Sequence, residues 1–272
     1  MGEQSTLDRE RVAETFAALR ATIGTERRRT AAERRAFESF ADRVENCSHT
    51  GSGVSPTGRM GNRQGATVVA STGGNSTGSG PTDAIRRAYE ETVMAVSFYD
   101  EEYGDDYAES LRAEFGPEVA TALTDSDCFG PAAKAALTDA IGHAIHEREG
   151  LIGICECERE SVDAAADTLL PVAAELDEIG ATEPQGEPFG TLEARWHRLS
   201  RLREYCEEAA ATRQSAIGDR RSRHCLPVDA PDVCAYLYKS RDTAHPVLAL
   251  CADLAERATR LRTEYERAMV RY

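Results

Sequence analysis

Residues 137–179 read LTDAIGHAIHEREGLIGICECERESVDAAADTLLPVAAELDEI. Along them one set of positions steps by four and three without a slip: Leu137, Ile141, Ala144, Arg148, Leu151, Cys155, Glu158, Val162, Ala165, Leu169, Val172, Leu176 and Ile179. A sustained period of about 3.5 residues keeps one narrow helix face against a partner helix over several turns. The stretch therefore predicts an all-α protein in which helix packs on helix. Arg148 and Glu158 are the two charged members of the seam, and polar seam residues fix register or partner at some loss of stability. Replacing both with Leu is expected to stabilise the helices while loosening partner choice.

Working outward, residues 6–46 repeat the pattern with Val12, Phe16, Leu19, Ile23, Glu26, Thr30, Glu33, Phe37, Phe40 and Val44. A continuous helix there would be ~60 Å long at 1.5 Å per residue. The three polar members at its centre predict a bend or an unlike partner. Residues 47–82 lose all periodicity and are rich in Gly, Ser and Thr, the composition of a disordered linker spanning ~30–36 Å root-mean-square. No Gly-Lys-Ser/Thr follows its glycines, so it is not a phosphate loop.

Beyond the linker, Thr82 or Asp83 can cap a helix carrying Ile85, Tyr89, Val93 and Val96 and ending near Gly104. Two short helices follow, Tyr107 to Phe115 and Val119 to Leu123, broken at Gly116-Pro117. Pro131 suits the first turn of the seam helix, and Pro171 removes one of its backbone bonds. Gly180 to Gly190 is a loop; Thr191 can cap a basic helix bearing Leu192, Trp196, Leu199, Cys206, Ala210 and Ile217. A short helix at Asp232 to Lys239 and a long one at Pro246 to Arg271 complete the chain. The expected organisation is an elongated helical bundle over 83–272, with heptad-patterned long helices and a tethered coiled-coil-like helix over 1–46. Deletion of residues 1–82 would then leave a folded core and change only the assembly state.

Acids exceed bases by 15 in 272 residues, and Lys134 and Lys239 are the only lysines. Formal charge is +2 over residues 1–82, −20 over 83–190 and +3 over 191–272. Such acidity keeps a surface hydrated in brine and need not denote a cationic substrate. Aromatic residues are 6% of the chain, so the core is expected to rest on Leu, Ile, Val and Ala. No run of about 18 apolar residues is present, as a membrane span would need, and the first 30 residues lack an apolar signal core. The expectation is a cytoplasmic protein that keeps its eight cysteines mostly reduced.

Two segments carry a likeness. The run Ala84-Ile-Arg-Arg-Ala-Tyr-Glu-Glu-Thr-Val-Met-Ala-Val96 through Tyr99-Asp-Glu-Glu-Tyr103, and Tyr236-Leu-Tyr238 with Pro246-Val-Leu248, resemble an uncharacterised family of haloarchaeal all-helical proteins. The likeness covers most of residues 83–271 and implies a helical fold and a salt-loving source. It implies no activity.

Motifs that invite chemistry are each better read as scaffold. Cys155 and Cys157 are two apart, hence about 200° apart on a helix, and cannot share a metal. Cys155, Cys206 and Cys251 fall on seams, where a free thiol acts as a small hydrophobe; Cys157 is expected nearer the surface. His143 and His146 share a face but lack further zinc ligands. His224, Cys225, Cys234 and His245 surround a loop, with a spacing that matches no zinc signature. The acidic run Tyr99 to Tyr107 places Gly104 out of EF-hand register.

Arg27 to Arg29 with Arg34 and Arg35, and Arg220, Arg221 and Arg223, are the basic clusters. High salt and the net charge argue against nucleic acid as their partner. No catalytic motif is found, so no catalytic, cofactor or metal residue is assigned. The expected function is non-enzymatic: association with a protein partner or with itself through the heptad helices. The alternatives are a DNA-associated regulator using the Arg clusters and a thiol or metal sensor using Cys225 and Cys234.

Overall fold

A computed structural model describes residues 8–47, 80–124, 130–223 and 232–271. The linker expected over 47–82 lies, apart from its ends, outside the described residues. Eight helices are present among those described: α1 Arg9–Asn46, α2 Pro81–Glu90, α3 Tyr99–Glu102, α4 Tyr107–Thr124, α5 Pro131–Gly180, α6 Phe189–Arg223, α7 Val233–Leu237 and α8 Pro246–Val270. The chain is all-helical over these residues, with four long helices and shorter connectors.

The chain divides into two compact units, one of Met1–Thr30 with Gly150–Tyr272 and one of Ala31–Glu149. Each has its own core. In the first unit, Val12, Phe16, Leu19 and Ile23 of α1 are buried with Cys155, Val162, Leu169 and Leu176 of α5, Leu199 and Cys206 of α6, and Cys251 and Leu254 of α8. These residues recur at three- and four-residue steps, so each helix lays one apolar stripe inward. Of the thirteen seam positions on α5, all but Arg148 and Leu151 are buried. Pro171 faces outward and is exposed, so the carbonyl it leaves unpaired is on the wet side of the helix.

The second unit departs from the aliphatic core that composition predicts. Phe37, Phe40, Tyr89, Tyr107 and Phe115 are buried together. Phe40 meets Tyr89 edge-on at 5.2 Å between centroids, and Phe37 meets Phe115 at 6.0 Å, geometries that aromatic quadrupoles favour. A small aromatic content is thus concentrated in one place. The Tyr89 hydroxyl is paired with Ser110 at 2.7 Å inside this core.

Local boundaries follow cap chemistry. Pro81 opens α2, while the Gly80 amide donates to the Asp83 carboxylate at 3.3 Å, so the N-cap is Gly80 rather than Thr82 or Asp83. The helix expected to reach Gly104 stops at Glu90. Beyond it the amides of Thr92, Val93 and Met94 all converge on the Tyr89 carbonyl, which replaces the regular ladder with turns. Gly116, at φ +80°, kinks α4 before Pro117 as the sequence predicts. Thr191 does not cap α6: the helix begins two residues earlier, its first amides donating to the Pro188 carbonyl. Lys134 closes the far end of α1, donating to the carbonyls of Glu45 and Cys47 at 2.8 and 3.2 Å.

Candidate functional site

Glu158 and Arg148, the charged members of the α5 seam, sit in two separate polar networks. Glu158 is wholly buried, and Arg213 of α6 is 2% exposed. Arg213 Nη2 donates to Glu158 Oε1 at 2.6 Å and Nη1 to Oε2 at 3.0 Å, a forked pairing that fixes both planes. The Tyr238 hydroxyl donates to Glu158 Oε1 at 2.6 Å. Arg213 Nη1 also donates to Ser161 Oγ at 2.8 Å, and Nη2 reaches Cys234 Sγ at 3.6 Å.

Sequence places these groups where they meet. Glu158 and Ser161 are one turn apart on α5, and Cys234 and Tyr238 are one turn apart across α7 and its cap, so each pair shares a face. Asp232 caps α7 by accepting from the Cys234 amide at 2.9 Å, which sets the angle at which that face is presented. Burial lowers the proton affinity of Arg213, but the hydrogen bond and charge of Glu158 more than offset it, so its pKa is raised and the ion pair persists. Burial and the neighbouring Glu158 carboxylate push the Tyr238 pKa well above its usual range, leaving the hydroxyl a donor.

In the second unit Arg148 Nη2 donates to Glu114 at 2.6 Å and Nε to Glu33 at 3.3 Å. Its guanidinium lies 4.6 Å from the centre of the Phe37 ring, a cation–π contact. The Tyr103 hydroxyl donates to Glu33 Oε1 at 2.8 Å. In the first unit Glu26 accepts from Tyr236 at 2.8 Å, and Thr30 turns its hydroxyl onto the Glu26 carbonyl at 3.0 Å. The polar centre of the first helix therefore meets unlike, polar partners. Sequence inspection singled out Arg148 and Glu158 but missed Arg213 and Tyr238, because an Arg in a basic helix and a Tyr in a short one carry no periodic signal.

The thiols lie where packing predicts. Cys155, Cys206 and Cys251 are buried, and desolvation pushes their pKa values up to about 12, 12 and 11. Such thiols are neutral and unreactive at physiological pH. Cys157 is half-buried. His143 and His146 are exposed, His146 standing 3.9 Å from Glu149. His245 lies 3.5 Å from Asp232, while Cys234 turns inward to Arg213; His224 and Cys225 lie outside the described residues. Among the described residues no three His, Cys, Asp or Glu side chains gather to hold a metal ion. In the acidic run, Tyr99 and Tyr107 are buried and Asp100, Glu101, Glu102 and Asp106 are exposed.

The basic clusters are partly spent inside the molecule. Arg27 pairs with Glu156 at 2.8 Å, and Arg34 pairs with Glu38 and Glu149. The side chains of Arg220, Arg221 and Arg223 lie outside those described.

Beside the Glu158 network, α5 and α6 leave a groove of about 400 Å³. Ala164, Thr168, Ala209 and Thr212 line it, Arg213 and Ser161 close its inner end, and Glu160 and Glu208 stand at its rim. Small side chains at facing positions are what open it, since larger ones would fill the same space.

The fold and these networks define an all-helical protein whose buried charges are paired within its own helices. The chain belongs to the family described as a domain of unknown function, DUF7260, whose profile matches residues 14–262. No curated protein and no solved structure matches it. No described helix is long and apolar enough to cross a membrane.

Proposed function

We propose that the chain works by association, as a helical interaction or scaffold protein rather than as an enzyme. The groove between α5 and α6 carries this reading: its lining offers methyl and hydroxyl groups with carboxylates at the rim, surfaces suited to receiving another helix. Further support comes from the reactive side chains. The buried thiols are held neutral, and Glu158, Arg213 and Arg148 are paired inside their own units. The internal pairing of Arg27 and Arg34 weakens the alternative of a DNA-associated regulator.

Affinity capture with the full chain from a native extract in high salt tests the reading, with Glu160→Arg/Glu208→Arg as control. A protein held by the wild type, lost with the control and reconstituted from pure components at fixed stoichiometry supports it. Turnover of a small molecule by the purified chain overturns it.

A further inference from the structure

Among the buried tyrosines of the described chain, Tyr89, Tyr238 and Tyr265 each have a partner for the hydroxyl: Ser110, Glu158 and the Ile179 carbonyl. Tyr99 and Tyr107 are the exceptions, with buried hydroxyls that meet no hydrogen-bond partner. A buried hydroxyl left unpaired destabilises a fold unless something takes the partner's place. Tyr107 is 8% exposed, and it lines an open cleft of about 440 Å³ in the second unit.

Three helix turns build this cleft. The first turn of α2 supplies Thr82 and Asp83, and Arg86 follows one turn on. The first turn of α4 supplies Tyr107, behind Asp106. Thr124, from the last turn of α4, lines the same cleft because the kink at Gly116 turns the helix back on itself.

Each charged group in the lining is held by one contact and keeps further hydrogen-bonding capacity open. Asp83 Oδ2 accepts from the Gly80 amide at 3.3 Å and Asp106 Oδ1 from the Glu109 amide at 2.9 Å. Asp83 Oδ1 and Asp106 Oδ2 accept nothing among the described residues. Arg86 Nε donates to Glu90 at 2.8 Å, and the guanidinium lies 5.0 Å from the centre of the Tyr107 ring, with Nη1 and Nη2 unbonded among the described residues. Burial pushes the Tyr107 pKa up to about 12 against the lowering effect of Arg86, so the phenol keeps its proton and donates.

These groups select a ligand by sign. An anion alone would meet two carboxylates; a cation alone would meet Arg86 and leave the phenol without an acceptor. A molecule bearing a carboxylate and an ammonium satisfies both sets with charge-assisted hydrogen bonds. The cleft is also of the size of small-molecule sites, roughly 300–1,000 Å³. We infer that the cleft between the first turns of α2 and α4 binds a small zwitterion of the α-amino acid class, its carboxylate on the Tyr107 hydroxyl and Arg86 and its ammonium on Asp83 and Asp106. The site belongs to the second unit and the α5–α6 groove to the first, so it adds a ligand to the association reading without depending on it.

Titration of the full chain with each proteinogenic amino acid, followed by saturation-transfer NMR, tests it. At least one is expected to bind with a Kd of about 1 mM or tighter. Its analogues lacking the amino or the carboxyl group should bind at least about tenfold more weakly, as should the parent amino acid to Tyr107→Phe and to Arg86→Gln. Without ligand, Tyr107→Phe should melt no lower than the wild type, because the hydroxyl it removes has no partner to lose. That melt separates lost binding from lost folding. The inference is overturned if no amino acid binds at about 1 mM or tighter, if a truncated analogue or a neutral hexose binds as tightly, or if either variant binds like the wild type. The capture experiment above continues to judge the association reading in each case.

Discussion

Arg213 holds both carboxylate oxygens of Glu158, at 2.6 and 3.0 Å, with the two side chains 2% and 0% exposed. The pair joins α5 to α6, and Tyr238 adds the segment following α7 through the same carboxylate. Three elements distant in sequence are thus set in one register by one group.

Removing either partner alone leaves a buried charge uncompensated. Glu158→Leu or Arg213→Leu is expected to destabilise the first unit by about 3–5 kcal/mol, read as a fall in the urea midpoint. Glu158→Leu/Arg213→Leu together should recover most of that loss, since well-packed apolar groups often replace a buried ion pair at no net cost. A double substitution as damaging as the sum of the singles would contradict the pairing.

The paired replacement of Arg148 and Glu158 by Leu now carries the opposite expectation from the one periodicity suggests. The two residues do not pair with each other; each has its own partners, Glu33 and Glu114 for Arg148 and Arg213 for Glu158. The double variant strands charges in both units. Its thermal midpoint should fall by at least roughly 10 °C, and scanning calorimetry reads the change.

Tyr238→Phe removes a hydroxyl that donates to a buried carboxylate and little else. A loss of about 1.5–3 kcal/mol is expected from a hydrogen bond to a charged group. Equilibrium denaturation measures it, and native circular dichroism at low denaturant separates this loss from failure to fold.

Alkaline pH should act through the buried thiols. Their folded pKa values are raised to about 12, 12 and 11 for Cys155, Cys206 and Cys251, above the ordinary value of 9.0. A raised folded pKa leaves stability intact below pH 9, where both states are protonated. Above pH 9 the unfolded chain releases protons that the folded chain retains, and stability falls by about 1.4 kcal/mol per pH unit for each thiol. Cys155→Ala should flatten the slope of stability against pH between 9 and 11 by about that amount. A slope unchanged by the substitution would show the thiol to be accessible in the folded state.

The first helix should be indispensable. Val12, Phe16, Leu19 and Ile23 belong to one core and Phe37, Phe40 and Val44 to the other, so deleting residues 1–82 strips apolar contacts from both. Loss of cooperative unfolding is expected, in place of the folded core with altered assembly that the linker composition alone suggests. The milder Phe16→Ala should cost about 3–5 kcal/mol, with protease resistance as an independent readout.

Apolar spacing specified a great deal by itself. The buried stripe of α5, the stripes of α1 and α8, the break at Gly116 and the inward thiols follow from periods of three and four and from glycine and proline chemistry, which are local. Spacing failed where a choice depended on distant partners. It continued α2 to Gly104, because Val93 and Val96 keep the helical period, whereas the turns there bring Val93 into the aromatic core and bury Tyr99 against Tyr103. It left Glu26 and Glu33 as a wet centre without indicating Tyr236 and Tyr103, 210 and 70 residues away.

What the sequence determined alone is the helical class, the faces the long helices bury and the inertness of the seam cysteines, because each depends on the residues of a single helix. What only the tertiary structure decided is which charges are structural and which stand free. Arg213 in the basic α6 looks like its exposed neighbours until Glu158 and Tyr238 are brought to it, and Glu160 looks like Glu158, two residues away, until burial separates them. The physical reason is that a charge is defined by its partner and its solvent, and both are supplied by packing between helices rather than by spacing along one.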